Sequence, residues 1–132
     1  MTKDMALNGL ARWYAYMKSH DHKALWDLLH PEAVFESPVV HTPQRGRDIT
    51  FKYLASALEV LGGSGFTYVG EWRNDKGVVL EFEQEIDGIK LNGVDIIRFS
   101  DDGRIIHFKV MVRPLKAINL LHRLMGEQLA KP

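Results

Sequence analysis

The sequence of 132 residues contains no cysteine and has no net charge. The absence of cysteine excludes disulfide bonds, thiolate metal sites and cysteine nucleophiles. Seventeen basic side chains balance seventeen acidic ones, so the chain has no net field that would attract a polyanion. The composition therefore argues against nucleic acid and an acidic membrane surface as the main partners.

Long hydrophobic runs are also missing. No apolar stretch approaches the roughly 18 residues that a membrane span needs, and the first residues lack the apolar core of a signal peptide. The chain is 45% hydrophobic and 26% charged, as is usual for globular proteins. These features predict a cytoplasmic protein without membrane contacts that folds as a single domain over residues 1–132.

Hydrophobic periodicity predicts four helices and five strands. Apolar residues recur at helical spacing over residues 4–18, 21–29, 48–61 and 115–129. Asp21 and Asp48 are suitable N-caps, and Pro114 suits the first turn of the last helix. A short strand is predicted over residues 33–37, followed by a loop over residues 41–46. Period-two alternation between turns rich in Asn, Asp and Gly predicts strands over residues 66–73, 77–85, 90–99 and 104–112.

The order of these elements predicts an α+β fold, in which the helices are segregated from an antiparallel sheet. If the antiparallel sheet curves and wraps around the three N-terminal helices, with the fourth helix at the C-terminus, the fold is a cone-shaped α+β barrel. Three helices and a curled sheet do not fill such a cone completely. A cavity is therefore expected between them.

Asp95 lies on the predicted strand face that also carries Ile97 and Phe99. A carboxylate among apolar neighbours must be paired, be protonated or serve a ligand, because burying an unpaired charge costs free energy. Asp95 is therefore the first candidate for a catalytic acid–base or hydrogen-bonding residue. The alternative is a structural aspartate that bonds to a nearby Trp N–H, Tyr hydroxyl or Arg.

Ser37 and His41 are the other candidate catalytic residues, near the predicted mouth of the cavity. Ser37 can position a ligand or a water molecule, or it can close the turn before Pro38. A serine without a neighbouring base is a poor nucleophile. His41 lies in a loop that can fold over the opening, and an imidazole suits proton transfer near neutral pH. Many loop histidines, however, are simply solvated.

Aromatic and aliphatic side chains at helical and strand spacing are expected to form the apolar wall of the cavity, although the same patterns describe an ordinary core. The expected ligand is a small apolar molecule with one polar group, bound without a cofactor. No pair of His or carboxylate residues has a convincing metal spacing. The candidate ligand-binding residues are Trp13, Tyr16, Met17, Trp26, Phe35, Tyr53, Phe82, Phe108 and Val110.

The opposite sheet face carries acidic residues on one strand and basic residues on another, with apolar residues among them. Such a face suits a self-complementary two-fold interface, so we expect a homodimer. The alternative is a solvated face with cross-strand ion pairs, each of which contributes little. The residues predicted at the dimer interface are Glu81, Glu83, Ile96, Arg98, His107, Lys109, Met111 and Arg113.

Three segments resemble the nuclear transport factor 2-like superfamily, and within it the SnoaL-like and ketosteroid-isomerase-like branch. Residues 25–38 (LWDLLHPEAVFESP) are similar to that family's passage from helix to first strand. Residues 46–49 (GRDI) are similar to the entry to its third helix, and residues 95–99 (DIIRF) with 102–105 (DGRI) to its central hairpin. The resemblance covers nearly the whole chain and implies the cone-shaped fold. That superfamily includes isomerases, cyclases, dehydratases, hydrolases and non-catalytic binding modules.

The resemblance implies roles for three positions. Ketosteroid isomerases use an aspartate base just before the proline that ends the first strand, where this sequence has Ser37. They use a tyrosine of the first helix as an oxyanion donor; the register puts Trp13 there, and a slip of one residue would bring in Tyr14. Their second donor, a protonated aspartate on the central strand, corresponds to Asp95. Without the base, standard steroid isomerisation is not expected.

The sequence leaves three functions open. The first is an isomerase-, cyclase- or hydrolase-type enzyme that acts through Asp95 on a small, largely apolar carbonyl, hydroxyl or polycyclic compound. The second is a small-molecule-binding protein without catalysis. The third is a dimeric interaction module that uses the outer sheet face or the last helix.

Overall fold

The computed structural model describes residues 2–132, with side chains from Asp4 onward. This part of the chain forms four helices and one six-stranded sheet. The helices are α1 Thr2–Ser19, α2 His22–Leu28, α3 Arg47–Leu61 and α4 Leu115–Leu129. The strands are β1 Leu29–Glu36, β2 Gln44–Arg45, β3 Thr67–Arg73, β4 Gly77–Ile86, β5 Ile89–Phe99 and β6 Ile105–Arg113.

The strands form a curved, unclosed sheet in the order β2-β1-β6-β5-β4-β3. β1 runs parallel to β6, and the other neighbouring strands are antiparallel. α1, α2 and α3 share one hydrophobic cluster with the inner face of the sheet. α4 packs against α3 and against β5 and β6. The predicted α+β fold, with a curved sheet around three N-terminal helices and a C-terminal helix, is confirmed.

Two local predictions near the start of α3 were wrong. The predicted loop over residues 41–46 contains β2, which pairs with Val34 and Phe35 of β1. Asp48 does not cap α3, because the N-cap is Gly46, whose N–H donates to the Ala33 carbonyl oxygen at 2.8 Å. Gly46 has a φ of 112°, which glycine adopts without steric cost. Asp48 lies instead in the first helical turn, where its charge interacts favourably with the helix dipole.

Two element boundaries also differ from the predicted ones. α2 ends at Leu28, and β1 begins at Leu29 rather than at residue 33, because Leu29 pairs with Ile105 of β6 before the strand bulges. Pro114 takes the N-cap position of α4 rather than its first turn. These shifts leave the inner and outer faces of the strands unchanged.

Alternation along β5 determines which of its side chains reach the interior of the cone. Leu91, Gly93, Asp95, Ile97 and Phe99 are buried, whereas the residues between them are partly or fully exposed. Successive strand residues point to opposite faces of a sheet. The carboxyl group of Asp95 therefore lies on the inner face, as the sequence predicted.

Gly93 leaves room for the Phe82 ring on this inner face. A Cβ atom on Gly93 would lie 2.5 Å from the Met111 carbonyl oxygen and 2.6 Å from Phe82 Cζ. We expect Gly93→Ala to lower the free energy of unfolding by about 1–3 kcal/mol, because the ring and the strand must shift. Chemical denaturation measures this change.

The matched control is Gly126→Ala in α4, where nothing lies within 4 Å of an added Cβ. Alanine is a better helix former than glycine, so this variant is expected to gain up to about 1 kcal/mol. A Gly93→Ala variant as stable as the unsubstituted protein would contradict the packing described.

Candidate functional site

A cavity of about 260 Å³ lies between the helices and the inner face of the sheet. Its volume is close to the lower end of the range for small-molecule sites. Most of its wall is apolar, and seven of the nine predicted wall residues line it: Trp13, Met17, Phe35, Tyr53, Phe82, Phe108 and Val110. α4 supplies a further side of the wall through Leu121, His122, Met125, Gly126 and Leu129.

The other two predicted wall residues lie elsewhere. Tyr16 is only 1% exposed, and its hydroxyl oxygen lies 3.3 Å from His22 Nδ1, so its ring fills the contact between α1 and α2. Trp26 packs edge-to-face on Phe51, and the Arg47 guanidinium lies 4.3 Å from the centre of its ring. Both aromatic side chains belong to the packing between helices and do not line the cavity.

Asp95 lies on the cavity wall and is 7% exposed. The Tyr68 hydroxyl donates a hydrogen bond to Asp95 Oδ2 at 2.6 Å. The Tyr68 oxygen in turn accepts a hydrogen bond from Trp13 Nε1 at 3.0 Å. All three residues line the cavity, so they form a hydrogen-bonded polar group in a wall that is otherwise largely apolar.

Burial raises the pKa values of both Asp95 and Tyr68. Loss of water raises the pKa of Asp95 from 3.8 to about 7, and the hydrogen bond from Tyr68 opposes this rise without cancelling it. The pKa of Tyr68 is held well above its ordinary value by burial and by the nearby Asp95 charge. Near pH 7 the Asp95 carboxyl group therefore exists in both protonation states, and it can accept or donate a proton.

Ser37 follows the last residue of β1 and lines the same cavity as Asp95. Its Oγ accepts a hydrogen bond from the Val39 N–H at 3.0 Å, so it closes the turn after β1 and also lines the cavity. Glu36 pairs with Lys109 of β6, and Val110 of β6 pairs with Asp95. Ser37 and Asp95 therefore flank Val110 on the inner face, with Cα atoms about 10 Å apart, two strand spacings.

The structure separates His41 and Tyr14 from the cavity. His41 is exposed in the loop after β1 and does not belong to the cavity wall, although Val39 and Val40 of the same loop do. The Tyr14 hydroxyl donates to the Glu71 carboxylate, whereas Trp13 lines the cavity. The first-helix register thus places Trp13, rather than Tyr14, on the cavity wall with Asp95 and Tyr68. The Tyr14 ring packs edge-to-face on Tyr68 outside that wall.

Sequence reasoning missed two polar residues of the wall, Tyr68 and His122. The alternation of Phe66 and Tyr68 in the strand predicted over residues 66–73 was a signal that both face inward. The spacing of Leu121, Met125 and Leu129 was a comparable signal for α4, and His122 lies beside that stripe. Neither signal could be used without knowing which inward faces meet at the cavity.

The outer face of the sheet carries the eight residues of the predicted dimer interface. Glu83, Arg98, Met111 and Arg113 are exposed there, and the other four are partly buried. Some charges are paired within the chain: His107 Nε2 lies 2.6 Å from Glu36 Oε2, and Lys109 Nζ lies 3.6 Å from the same oxygen. Nothing in the single chain tests the two-fold interface, which stays a prediction.

Two further properties concern the described residues as a set. Within residues 2–132, no helix is both long and apolar enough to cross a membrane. Over the same range, no group of three His, Asp or Glu side chains is arranged to hold a metal ion.

The chain is similar to known domains and structures. The SnoaL-like domain matches residues 10–108. A crystal structure described as a steroid delta-isomerase from Pseudomonas aeruginosa is 39% identical to this chain. The alignment covers 96% of this chain and 92% of the Pseudomonas aeruginosa chain, with a TM-score of 0.90. An uncharacterized protein with a cystatin-like fold from Silicibacter pomeroyi DSS-3 is 27% identical to this chain. The alignment covers 91% of this chain and 84% of that protein, with a TM-score of 0.83.

A third structure is similar in fold alone. It is an NTF2-like protein of unknown function from Mesorhizobium loti, 21% identical, covering 86% of this chain and 95% of its own with a TM-score of 0.72. No curated protein matches the chain.

These matches confirm the resemblance that the three sequence motifs indicated. The matched range of residues 10–108 contains Trp13, Ser37, Tyr68 and Asp95. The chain belongs to the SnoaL-like domain family, within the nuclear transport factor 2-like superfamily.

Proposed function

We propose that this protein is an isomerase-type enzyme that binds a small, apolar carbonyl compound in the cavity and uses Asp95 as its acid–base residue. One observation carries the proposal: the Asp95 carboxyl group is buried on the cavity wall and accepts a hydrogen bond from Tyr68 at 2.6 Å. A carboxyl group that changes protonation near pH 7 suits proton transfer to and from carbon. The 39% identity with a protein described as a steroid delta-isomerase supports a polycyclic ketone as the substrate class.

In the proposed reaction, the substrate is a ketone with a double bond one carbon removed from conjugation. Ionised Asp95 takes a proton from the carbon between the two groups. The electron pair of that C–H bond forms a new C=C bond, and the carbonyl π electrons move to the oxygen to give a dienolate. Asp95 then returns the proton to the far carbon of the dienolate. The double bond becomes conjugated with the ketone, and the carboxylate is restored.

The Tyr68 hydroxyl can donate a hydrogen bond to whichever oxygen carries the negative charge during this cycle. In the free protein its hydroxyl donates to Asp95. When Asp95 becomes neutral and the negative charge moves to the substrate oxygen, the same O–H can donate to that oxygen instead. A donor already fixed in the cavity wall stabilises such an anion without reorganising solvent.

Trp13 supports the Tyr68 hydroxyl as a donor. Its Nε1–H bonds to the Tyr68 oxygen at 3.0 Å, so that oxygen already accepts one hydrogen bond and its own proton is available for Asp95 or a ligand. Hydrogen bonds in such a chain polarise one another and strengthen. Trp13 is therefore proposed as a positioning residue for Tyr68.

The proposal is tested with a steroidal ketone whose double bond is out of conjugation, because the conjugated product absorbs ultraviolet light. We expect Asp95→Asn to lower kcat by about 100-fold or more, with ligand affinity within about tenfold of the unsubstituted value. Asp75→Asn, a matched change at an exposed turn position, is expected to leave both unchanged. Equal turnover in the Asp95→Asn and unsubstituted proteins would refute the assigned role.

The position of Ser37 favours a second candidate, a small-molecule-binding protein without catalysis. The Ser37 hydroxyl already accepts the Val39 N–H, and Asp95 carries the one carboxylate that lines the cavity among the residues the structure describes. A binder would retain the steroidal ketone without converting it, and Asp95→Asn would weaken binding directly. Measuring affinity and turnover on the same samples distinguishes the two functions.

A further inference from the structure

A surface cleft between α1 and residues 62–68 shares part of its wall with the cavity. The side chains of Met17, Phe66 and Tyr68 line both spaces, and so does Gly62. The wall between cavity and cleft is therefore one residue thick at these positions. We call the three side chains the partition. The remaining residues of the cleft belong to α1 and are Tyr14, Ala15 and Lys18.

Aromatic contacts hold two members of the partition in place. The Tyr68 ring packs edge-to-face on Phe66, with ring centres 5.1 Å apart, and on Tyr14, with ring centres 6.0 Å apart. The Phe66 ring also stacks on Phe82 of β4 at 5.3 Å. Rings in edge-to-face and offset-stacked arrangements attract one another beyond the area that they bury. Each of the two rings in the partition is therefore held by two others.

Met17 is the aliphatic member of the partition. It follows Trp13 by four residues in α1, so the two side chains lie on the same face of the helix. Trp13 Nε1 donates to the Tyr68 hydroxyl oxygen, which places Met17 one helical turn from the hydrogen-bonded group. A methionine side chain is flexible and fills irregular gaps. Met17 is partly exposed and packs on the main hydrophobic cluster, so it fills the space beside the two rings.

Water can approach Asp95 from two sides. A bound ligand displaces water on the cavity side, and the partition separates the cleft from the hydrogen bond between Tyr68 and Asp95. In the proposed reaction, Asp95 holds the proton from one carbon until it returns that proton to another. A water molecule that bonds to Asp95 or Tyr68 during this interval exchanges the proton with solvent. The polar atoms of these two side chains can hold such a molecule.

We propose that the partition is a water barrier: Met17, Phe66 and Tyr68 keep the water of the cleft from Asp95, so that the transferred proton stays with the enzyme and its substrate. The inference rests on the proposed reaction and deepens it. It adds a role for Met17, whose side chain has no proton to transfer and acts by excluding water.

The first test follows solvent hydrogen into the product. The unconjugated steroidal ketone is converted in deuterated water, and the deuterium content of the conjugated ketone is measured early in the reaction. We expect Met17→Ala to raise this content by about twofold or more, because the barrier is thinner and protons leak. Met17→Val shortens the side chain less and is expected to show a smaller rise. Met17→Leu has a similar volume and is the matched control.

The second test needs no turnover. Hydration favours the charged form of a carboxyl group, so a thinner barrier lowers the pKa of Asp95, which burial raises to about 7. We expect Met17→Ala to lower it by about half a unit or more, and Met17→Leu to leave it unchanged. A carbon NMR titration of the Asp95 carboxyl group measures the pKa. The other ionisable side chains that line the cavity or the cleft are the same in every variant, namely Tyr14, Lys18, Tyr53, Tyr68 and His122.

The outcomes separate this inference from the proposed function. An unchanged deuterium content in Met17→Ala and Met17→Val, or an equal rise in Met17→Leu, would overturn the barrier and leave the proposed reaction in place. If the unsubstituted protein does not convert the ketone, the proposed function fails and the titration decides. Equal pKa values of Asp95 in Met17→Ala and Met17→Leu would then overturn the barrier as well.

Discussion

The Asp95→Asn variant is expected to gain stability relative to the unsubstituted protein as the pH rises from 4 to 8. The pKa of Asp95 is about 7 in the folded protein against an ordinary 3.8, so the folded state binds this proton more tightly than the unfolded state. The resulting stabilisation is complete below pH 4 and is lost as the pH rises through 7. The difference corresponds to about 4 kcal/mol over this range, and asparagine cannot show it.

The measurement is the free energy of unfolding from denaturant titrations at several pH values. Other groups affect both proteins equally and cancel in the difference; one is Asp102, whose pKa is lowered to about 2 chiefly by its hydrogen bond with Ser100. Asp75→Asn is again the control, because an exposed carboxylate should show no comparable trend. Parallel curves for Asp95→Asn and the unsubstituted protein would mean that Asp95 ionises as freely in the folded state as in water.

Ser37→Asp is expected to raise turnover of the unconjugated steroidal ketone by about 100-fold or more, the usual contribution of a well-placed general base. Ser37 and Asp95 flank Val110 on the inner face of the sheet, so a carboxylate at position 37 faces the Asp95 side of the cavity. It can then remove the proton from carbon while neutral Asp95 and Tyr68 both donate to the substrate oxygen.

The matched control is Ser37→Asn, which has nearly the same shape but no basic carboxylate. Both side chains keep an oxygen that can accept the Val39 N–H, as Ser37 does, so the turn after β1 should persist in both. Steady-state kinetics of the two variants gives the answer. Equal kcat values would show that a carboxylate at this position cannot reach the substrate.

The inner faces of the strands could be predicted because they depend on local alternation. Asp95, Ile97 and Phe99 share a face for the same reason that Phe82 and Phe108 do, namely that side chains on a strand alternate. The turns and the order of elements then indicated the α+β fold, and the family resemblance implied its cone shape. Alternation also puts Glu36 and Ser37 on opposite faces, and Glu36 pairs with His107 on the outer face.

A hydrogen bond between Asp95 and a Tyr hydroxyl was one alternative that the sequence left open, but Tyr68 could not be identified as the partner, because the bond joins distant segments. Tyr68 meets Asp95 across β4, and its position follows from a shift in strand pairing between Tyr68 and Gly70. His122 reaches the cavity only because α4 packs on the end of β5. Tyr16 and Trp26 have the same periodicity as true wall residues, and only the packing of the helices places them outside the cavity.

The hydrogen bonds among Trp13, Tyr68 and Asp95 join α1, β3 and β5. Both bonds therefore form only when α1 packs on the sheet. A chain in which the sheet has formed without α1 would leave Asp95 hydrated and ionised, with its full negative charge. The even balance of seventeen acidic and seventeen basic residues therefore describes the unfolded chain. Because the fold raises the pKa of Asp95 to about 7, the folded protein binds part of a proton near neutral pH that the unfolded chain has lost, and its net charge is slightly more positive than the sequence alone gives.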